Sequence, residues 1–361
     1  MGEKKKPREK RYRVWLIVLL IVLALIILLI GGISWYANSK LNQVNFDDGS
    51  REIDTSTVYE VNNDELVLND LPDVPASAVE ELPPDENVIV EDEDVMNILL
   101  LGTDERTAQF NDNARADSIM VLSLNTRLHT IKLISIERGI GVPVPGRNDD
   151  WITHTFRYGG AKLTMETVQE QFKLDVERFV RVNFHVFEDA IDVIGGVDIN
   201  MTPAEANYLN NEATYVNETA GDIQTVTPGQ NHLDGKTALC YARIRKIDSD
   251  WMRIKRQRTV VQAALNQVKN LSLSQLDDLA DTILPMIQTN LTKSEIAALI
   301  FEIPGFLANG VQIEDMTIPA EGTAWNSVGV DGRKLIGVDF AENARILREF
   351  FYQDETPTPK K

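Results

Sequence analysis

The hydrophobic pattern opens with one long apolar run. Residues 14–33 read VWLIVLLIVLALIILLIGGI, about twenty positions without a charge. At ~1.5 Å per residue, a helix of that length spans the ~30 Å hydrocarbon core of a bilayer. Trp35 and Tyr36 follow where an interfacial aromatic belt belongs. A cleaved leader has a shorter apolar stretch and a small-residue cleavage site. Here Gly31-Gly32-Ile33-Ser34 leads into two bulky rings instead. The pattern therefore predicts an uncleaved transmembrane helix over 14–36. Residues 1–13, MGEKKKPREKRYR, hold seven Lys/Arg against two Glu. Positive flanks stay inside, so this tip is expected in the cytoplasm and the C-terminal bulk outside a cell membrane crossed once.

Residues 37–95 then lose apolar periodicity. The stretch ends in LPDVPASAVEELPPDENVIVEDEDV, rich in proline and acid. It predicts an extended acidic spacer, with short strands only around 56–60 and 65–68. A globular pattern starts at Met96 and runs over 96–354. The apolar run 97–102 reads as a buried strand, and 118–125 (SIMVLSLN) and 130–138 (TIKLISIER) as two more. Helical periodicity is expected over 161–173, 186–194, 233–242, 250–269 and twice within 271–307. Strands are expected over 178–184, 197–201 and 311–318, and a closing helix over 340–351. Gly195-Gly196 ends one helix. Strands alternating with helices predict an α/β fold with a sheet covered on both faces. The polar tail 355–361 is expected to be disordered.

Composition narrows the class. The net charge is −19, but residues 37–95 alone hold seventeen Asp/Glu and two Lys/Arg. Acidity of this kind argues against general nucleic-acid binding. The single cysteine, Cys240, cannot form an internal disulfide and sits in the apolar stretch ALCYA, as a core residue does. None of the four histidines lies at zinc-site spacing with a cysteine.

Candidate chemistry lies where charge invades apolar patterning. In 250–269, Val261, Ala264, Leu265 and Val268 form one stripe. Gln257, Arg253 and Asp250 continue it backward at helical spacing, so they face the body of the domain. Residues 243–258 (RIRKIDSDWMRIKRQR) pack seven Lys/Arg into an otherwise acidic chain. Arg243, Arg245, Arg253 and Arg256 are placed to surround a multiply charged anion, since the guanidinium fork matches phosphate oxygens. Asp104 follows the first strand and Asp117 opens the second. Ligands gather at strand ends, and two carboxylates suit a hard cation such as Mg²⁺. Arg138 ends the third strand and is placed to join them. Acids for a cation and arginines for phosphate point to a pyrophosphate, held by a lipid carrier in the same membrane.

These residues carry a family resemblance. NILLLGTDER, ARADSIMVLSLN, SIER, ITHTFRYGG and VTPGQNHLDGKTALCYARIRKIDSDWMRIKRQ resemble, in order and spacing, motifs of the LytR-CpsA-Psr (LCP) proteins of bacterial envelopes. The resemblance spans about residues 95–355. It implies a three-layer α-β-α sandwich around a mixed central sheet. It also implies a phosphotransferase that moves a glycan from a polyprenyl-pyrophosphate carrier to peptidoglycan. On that resemblance Asp104 and Asp117 hold Mg²⁺ (or Mn²⁺). Arg115, Arg138, Arg243, Arg245 and Arg253 neutralise the pyrophosphate, and Gln257 orients it. Arg138, Arg253 and Asp117 carry catalysis. One departure stands out. The family's Pro-Arg-Asp is Glu137-Arg138-Gly139 here, and Thr153-His154 replaces an Asn-containing pair. The lost acid leaves three readings: Asp149 or Asp150 takes its place, the acceptor differs, or transfer is weakened. No general base is assigned. The rival functions are a non-catalytic polyprenyl-pyrophosphate sensor or scaffold, and a lipid pyrophosphatase.

Overall fold

The computed structural model describes residues 38–57, 71–75, 79, 81–105, 109–211, 223–308, 313–352 and 357–360. The basic tip 1–13 and the transmembrane helix expected over 14–36 lie outside the described residues. So do the strands expected around 56–60 and 65–68, apart from residues 56 and 57. Among the described residues no helix is long and apolar enough to cross a membrane. Residues 38–43 belong to a unit of their own, helical at 38–41. A second, larger unit begins at Val44 and holds the sheet.

Seven strands build one mixed sheet. Their order is Asn45–Phe46, Gln288–Thr289, Arg178–Val182, Val95–Thr103, Ala116–Asn125, Thr130–Ile136 and Ile313–Ile318. The central three strands decide where a ligand can sit. Successive side chains of a strand point to opposite faces. Leu99, Leu101, Ile119, Val121 and Phe179 join one core with Phe156, Val168 and Phe172 of helix Ile152–Phe172. Leu100, Met120 and Val180 turn to the other face. They lie side by side, Leu100 pairing with Met120 on one strand and with Val180 on the other. On the far side a second core gathers Ile191, Val197, Ile199, Leu233, Val260 and Cys240, which is buried as its apolar setting predicts.

Leu101 is fully buried in the first core. Leu101→Ala is expected to cost about 2–5 kcal/mol through lost apolar burial and the cavity left behind. The urea midpoint should fall accordingly. A loss below ~0.5 kcal/mol would show that the sheet is not packed as described.

Side-chain caps fix two of the helix starts. Asn183 caps helix Phe184–Val193 by accepting from the Val186 amide at 3.0 Å. Asp234 caps helix Gly235–Ala242 by accepting from the Thr237 amide at 2.8 Å. That helix is shorter than expected, because Gly229–Leu233 is a strand antiparallel to Val197–Met201. The helix expected over 161–173 instead begins at Ile152, with a break at Gly159-Gly160. Gly160 has φ +71°, and a Cβ there would meet the Gly49 carbonyl oxygen at 2.8 Å. This glycine lets the chain around Gly49 lie against the helix, where the Lys162 amide donates to the Gly49 carbonyl at 3.0 Å.

That docking changes the picture of the acidic stretch. Where it is described, it contributes to the fold. Asn45–Phe46 pairs with Gln288–Thr289, and the Asp54 amide donates to the Tyr158 carbonyl at 2.9 Å. Val90–Glu91 pairs with Thr358–Pro359. The tail expected to be disordered therefore forms a strand where it is described. The hairpin Ala324–Val328 with Lys334–Val338 and the helix Pro203–Asn211 were not anticipated by the hydrophobic pattern.

Candidate active site

The apolar strand face of Leu100, Met120 and Val180 does not meet a packed core. It floors a cavity of about 530 Å³. Val182, Phe184, Phe187, Leu239 and Val261 add further apolar wall. Charge is added by Asp104, Arg115, Asp117, Arg243, Arg245, Lys246 and Arg253, together with Gln257. Of the residues expected at the phosphate site, all but Arg138 and Arg256 line this cavity, and Arg138 joins it through Asp117. Lys246 was not expected there, although it lies within the same basic block.

The strand end holds its acid firmly. Asp104 follows strand Val95–Thr103, and its carboxylate accepts from the Arg115 amide at 2.9 Å and from Arg115 Nε at 3.2 Å. On the next strand, two positions after Arg115, Asp117 sits between two arginines. Its Oδ1 lies 3.4 Å from Arg138 Nη1 and its Oδ2 3.5 Å from Arg245 Nη2. Arg138 reaches on to Asp250, with Nη2 3.6 Å from Oδ2, and Asp250 Oδ1 lies 3.0 Å from Arg253 Nη1. Arg245, Asp117, Arg138, Asp250 and Arg253 thus form a chain of alternating charge. Asp250, expected to face inward with Arg253, is the link that sequence reasoning left without a role.

Burial sharpens these charges. Burial alone would raise the Asp117 carboxyl, but Arg138, Arg245, Arg115 and Arg253 outweigh it and hold the group far below the usual carboxylate range. Arg253 is about 1% exposed, and loss of water with repulsion from Arg138 and Arg245 pushes it down to about 10. It stays cationic at neutral pH. Its Nε, Nη1 and Nη2 all lack hydrogen-bond partners. Buried donors without acceptors cost about 1–3 kcal/mol each. Asp250 offsets part of the charge at 3.0 Å, but the unbonded N–H groups leave room for a further anion. Arg243 is fixed differently, with its guanidinium 4.4 Å from the Phe184 ring centre.

Arg256 does not join the others. Its Nε donates to Glu205 at 2.8 Å, its Nη1 to the Ile244 carbonyl at 2.9 Å, and its Nη2 to Asp248. It ties the basic loop to helix Pro203–Asn211 rather than facing the cavity. Nor do Asp149 and Asp150 take the place of the acid missing at Gly139. They line a separate cavity, and Asp150 is held by His154 Nδ1 at 2.9 Å and the Tyr158 hydroxyl at 2.5 Å. Thr153 donates to the Ala116 carbonyl at 2.7 Å, which ties the helix start to the strand bearing Asp117.

Glu137 is the buried acid nearest the gap. Its Oε1 accepts from the Gly139 amide at 3.2 Å, and its Oε2 has no hydrogen-bond partner. Burial and the charge of Asp250 raise it above the ordinary glutamate value of 4.5, against the pull of Arg253 and Arg138. An acid with a raised native value binds more protons folded than unfolded, so it erodes stability as pH climbs from the unfolded value to the native one. Glu137→Gln should remove that loss. Urea midpoints at about pH 5 and about pH 8 should show the variant gaining on the wild type at the higher pH. An equal gap at both would show that Glu137 does not titrate in this range.

Two carboxylates line the cavity, each already in contact with arginine. Asp104 and Asp117 offer carboxylate oxygens to one cavity, and Mg²⁺ commonly takes one or two carboxylates plus substrate phosphates. Among the described residues no group of three or more His, Cys, Asp or Glu is placed to cage a metal by itself. A cation here would depend on the ligand's own oxygens.

The LytR_cpsA_psr family model matches residues 43–346. The chain is 33% identical over 251 residues to the polyisoprenyl-teichoic acid–peptidoglycan teichoic acid transferase TagU of Oceanobacillus iheyensis, covering 67% of this chain and 72% of that protein. It is 29% identical over 304 residues to the corresponding transferase TagT of Bacillus subtilis, covering 83% and 85%. A solved structure of TagT bound to LIIa-WTA superposes with a TM-score of 0.57 at 26% identity, covering 76% of this chain and 95% of that one. The chain belongs to the LytR_cpsA_psr family.

Proposed function

We propose that this protein transfers a glycan phosphate from a polyprenyl-pyrophosphate carrier to peptidoglycan. The observation that carries the proposal is Arg253. It is buried, cationic and without hydrogen-bond partners, and it lines a cavity whose floor is apolar. Such a cavity fits an amphiphilic anion, with phosphates at the arginines and a prenyl chain along Leu100, Met120 and Val180. The relatives named as polyisoprenyl-teichoic acid–peptidoglycan transferases support the same reading.

In the reaction, an acceptor hydroxyl oxygen bonds to the phosphorus that bears the glycan. The bond from that phosphorus to the bridging oxygen breaks, and polyprenyl monophosphate leaves. The hydroxyl proton passes to solvent. Such transfers rely mostly on positioning and on stabilising charge at the phosphoryl and leaving oxygens. Arg115, Arg138, Arg243, Arg245 and Arg253 supply that charge, Asp117 and Asp250 hold the guanidinium groups in register, and Gln257 orients the head group. Mg²⁺ or Mn²⁺ bound by Asp104 and Asp117 would neutralise pyrophosphate charge as a Lewis acid. The apolar run at 14–33 would hold the enzyme in the membrane that carries its donor, with the domain outside the cell.

The absence of an acid at Gly139 favours one rival, a binder without turnover. Full-length protein in detergent, given labelled glycan lipid with and without peptidoglycan, separates the readings. Transfer predicts polyprenyl monophosphate and labelled peptidoglycan together, and only when acceptor is present. Lipid hydrolysis without acceptor indicates a pyrophosphatase, and tight binding without product indicates a scaffold; either result overturns the proposal.

A further inference from the structure

A second cavity of about 540 Å³ shares no lining residue with the first. Arg147, Asp149, Asp150, Tyr158, Asp331 and Arg333 supply most of its wall. Two of these are buried charges built into the fold. Asp150 is 5% exposed and Arg333 is 4% exposed, with Arg333 Nε 3.0 Å from Asp150 Oδ1. That Nε makes no hydrogen bond. Asp150 is fixed further by the Trp151 amide at 2.7 Å, by His154 and by the Tyr158 hydroxyl. Arg147 is fixed as well. Its Nη1 donates to the Asp54 carbonyl at 2.7 Å, and its guanidinium covers the Tyr158 ring at 4.2 Å.

The rim is of another kind. Asp149 and Asp331 are exposed, and the hairpin tip beside Asp331 presents Val328 and Val330, 66% and 88% exposed. The Gly329 amide donates to the Arg333 carbonyl at 2.8 Å, which holds the tip in place. Trp151, itself buried, lies between Arg138 and Arg333. The Arg138 guanidinium lies 5.7 Å from the Trp151 rings and that of Arg333 lies 5.8 Å from them. One aromatic side chain thus stands between the phosphate cluster and this polar cavity.

Its chemistry selects a ligand class. Three aspartates outnumber two arginines, which disfavours a polyanion. Among the described residues no metal-holding group of His, Cys, Asp or Glu is present. Fixed acceptors and donors in close alternation suit hydroxyl and amide groups, which offer both, and the exposed valines suit methyl groups or a sugar's apolar face.

We propose that this cavity is a subsite for neutral N-acetylated sugars of the acceptor glycan strand, seating that strand between Asp149 and Asp331. The inference rests on the transferase reading for its biological meaning, but the binding it predicts does not.

The test titrates full-length protein with an N-acetylglucosamine tetrasaccharide, and compares the wild type with the double variant Asp149→Asn, Asp331→Asn. Asp149 is exposed, and Asp331→Asn keeps the oxygen that accepts from the Arg333 amide at 3.1 Å, so the fold is retained. Loss of two charged hydrogen-bond acceptors should weaken tetrasaccharide binding about tenfold or more. In the transfer assay KM for peptidoglycan should rise by about the same factor while kcat changes less than about twofold. Affinity for lipid pyrophosphate should not change. Wild-type protein that fails to bind the tetrasaccharide, or a variant with wild-type affinity and KM, overturns the subsite. Saturable binding that the variant weakens, in a protein that shows no transfer, would sink the transferase reading and leave the subsite standing.

Discussion

Arg253→Ala lowers kcat/KM for glycan transfer by about two to three orders of magnitude, the usual loss when a preorganised charge facing a reacting oxyanion is removed. The expectation follows from where its donors stand. All three guanidinium nitrogens are buried and without hydrogen-bond partners, although Asp250 lies 3.0 Å from Nη1, so an arriving phosphate would gain their hydrogen bonds. The fold should survive, because the residue removed is itself a desolvated cation crowded by Arg138 and Arg245. Asp250 keeps Arg138 as a partner. Arg253→Lys restores charge but not the fork, so it should recover only part of the loss. Steady-state kinetics with a short-chain lipid donor, alongside a thermal melt, separates the cases. Undiminished transfer by a folded alanine variant would remove Arg253 from the site.

Met120→Trp is expected to give the second large effect. Met120 stands beside Leu100 on the cavity floor, so a bulkier ring there occupies prenyl space without touching the arginines. Each buried methylene is worth about 0.8 kcal/mol, so excluding one isoprene unit of about four such groups costs roughly 3 kcal/mol, more than a hundredfold in Kd. The loss should depend on chain length. Lipids of eight isoprene units should lose far more affinity than a one-unit pyrophosphate, which binds through its phosphates alone. Equal losses for both would mean that the chain does not follow this wall.

The charged half of the site was legible because helices carry it. Spacing of three and four places Asp250, Arg253 and Gln257 on one face, and no tertiary knowledge is needed to see that this face turns inward. Asp104, Asp117 and Arg138 were legible as strand-end charges. What the chain could not reveal locally is that Asp117 and Asp250 alternate with arginines, since two of the pairings, Asp117 with Arg245 and Arg138 with Asp250, join segments more than a hundred residues apart. The apolar half was hidden for another reason. Leu100, Met120 and Val180 belong to strands covered on both faces, which read as continuous apolar runs. Such a run does not reveal that one face meets a core and the other an open cavity. Val180, Val182, Phe184 and Phe187, from one strand and the helix that follows it, line the cavity together.

The fold shows the same division. Long periodic elements fell close to their expected bounds, as with Asp250–Val268 and Phe340–Tyr352. Two-residue strands such as Asn45–Phe46 and Thr358–Pro359 have no period to detect, so an acidic stretch and a polar tail looked unattached. Gly160 misled for a physical reason. The glycine pair reads as a helix stop, yet it breaks the helix only locally and makes room for the Gly49 carbonyl.

The most direct measurement is electron density for the protein crystallised with a prenyl pyrophosphate of several isoprene units. Both phosphates should lie within hydrogen-bonding distance of Arg253 and its neighbouring arginines, with the chain running over Leu100, Met120 and Val180. Phosphates bound away from Arg253, or a chain lying outside this cavity, would contradict the assignment of the site.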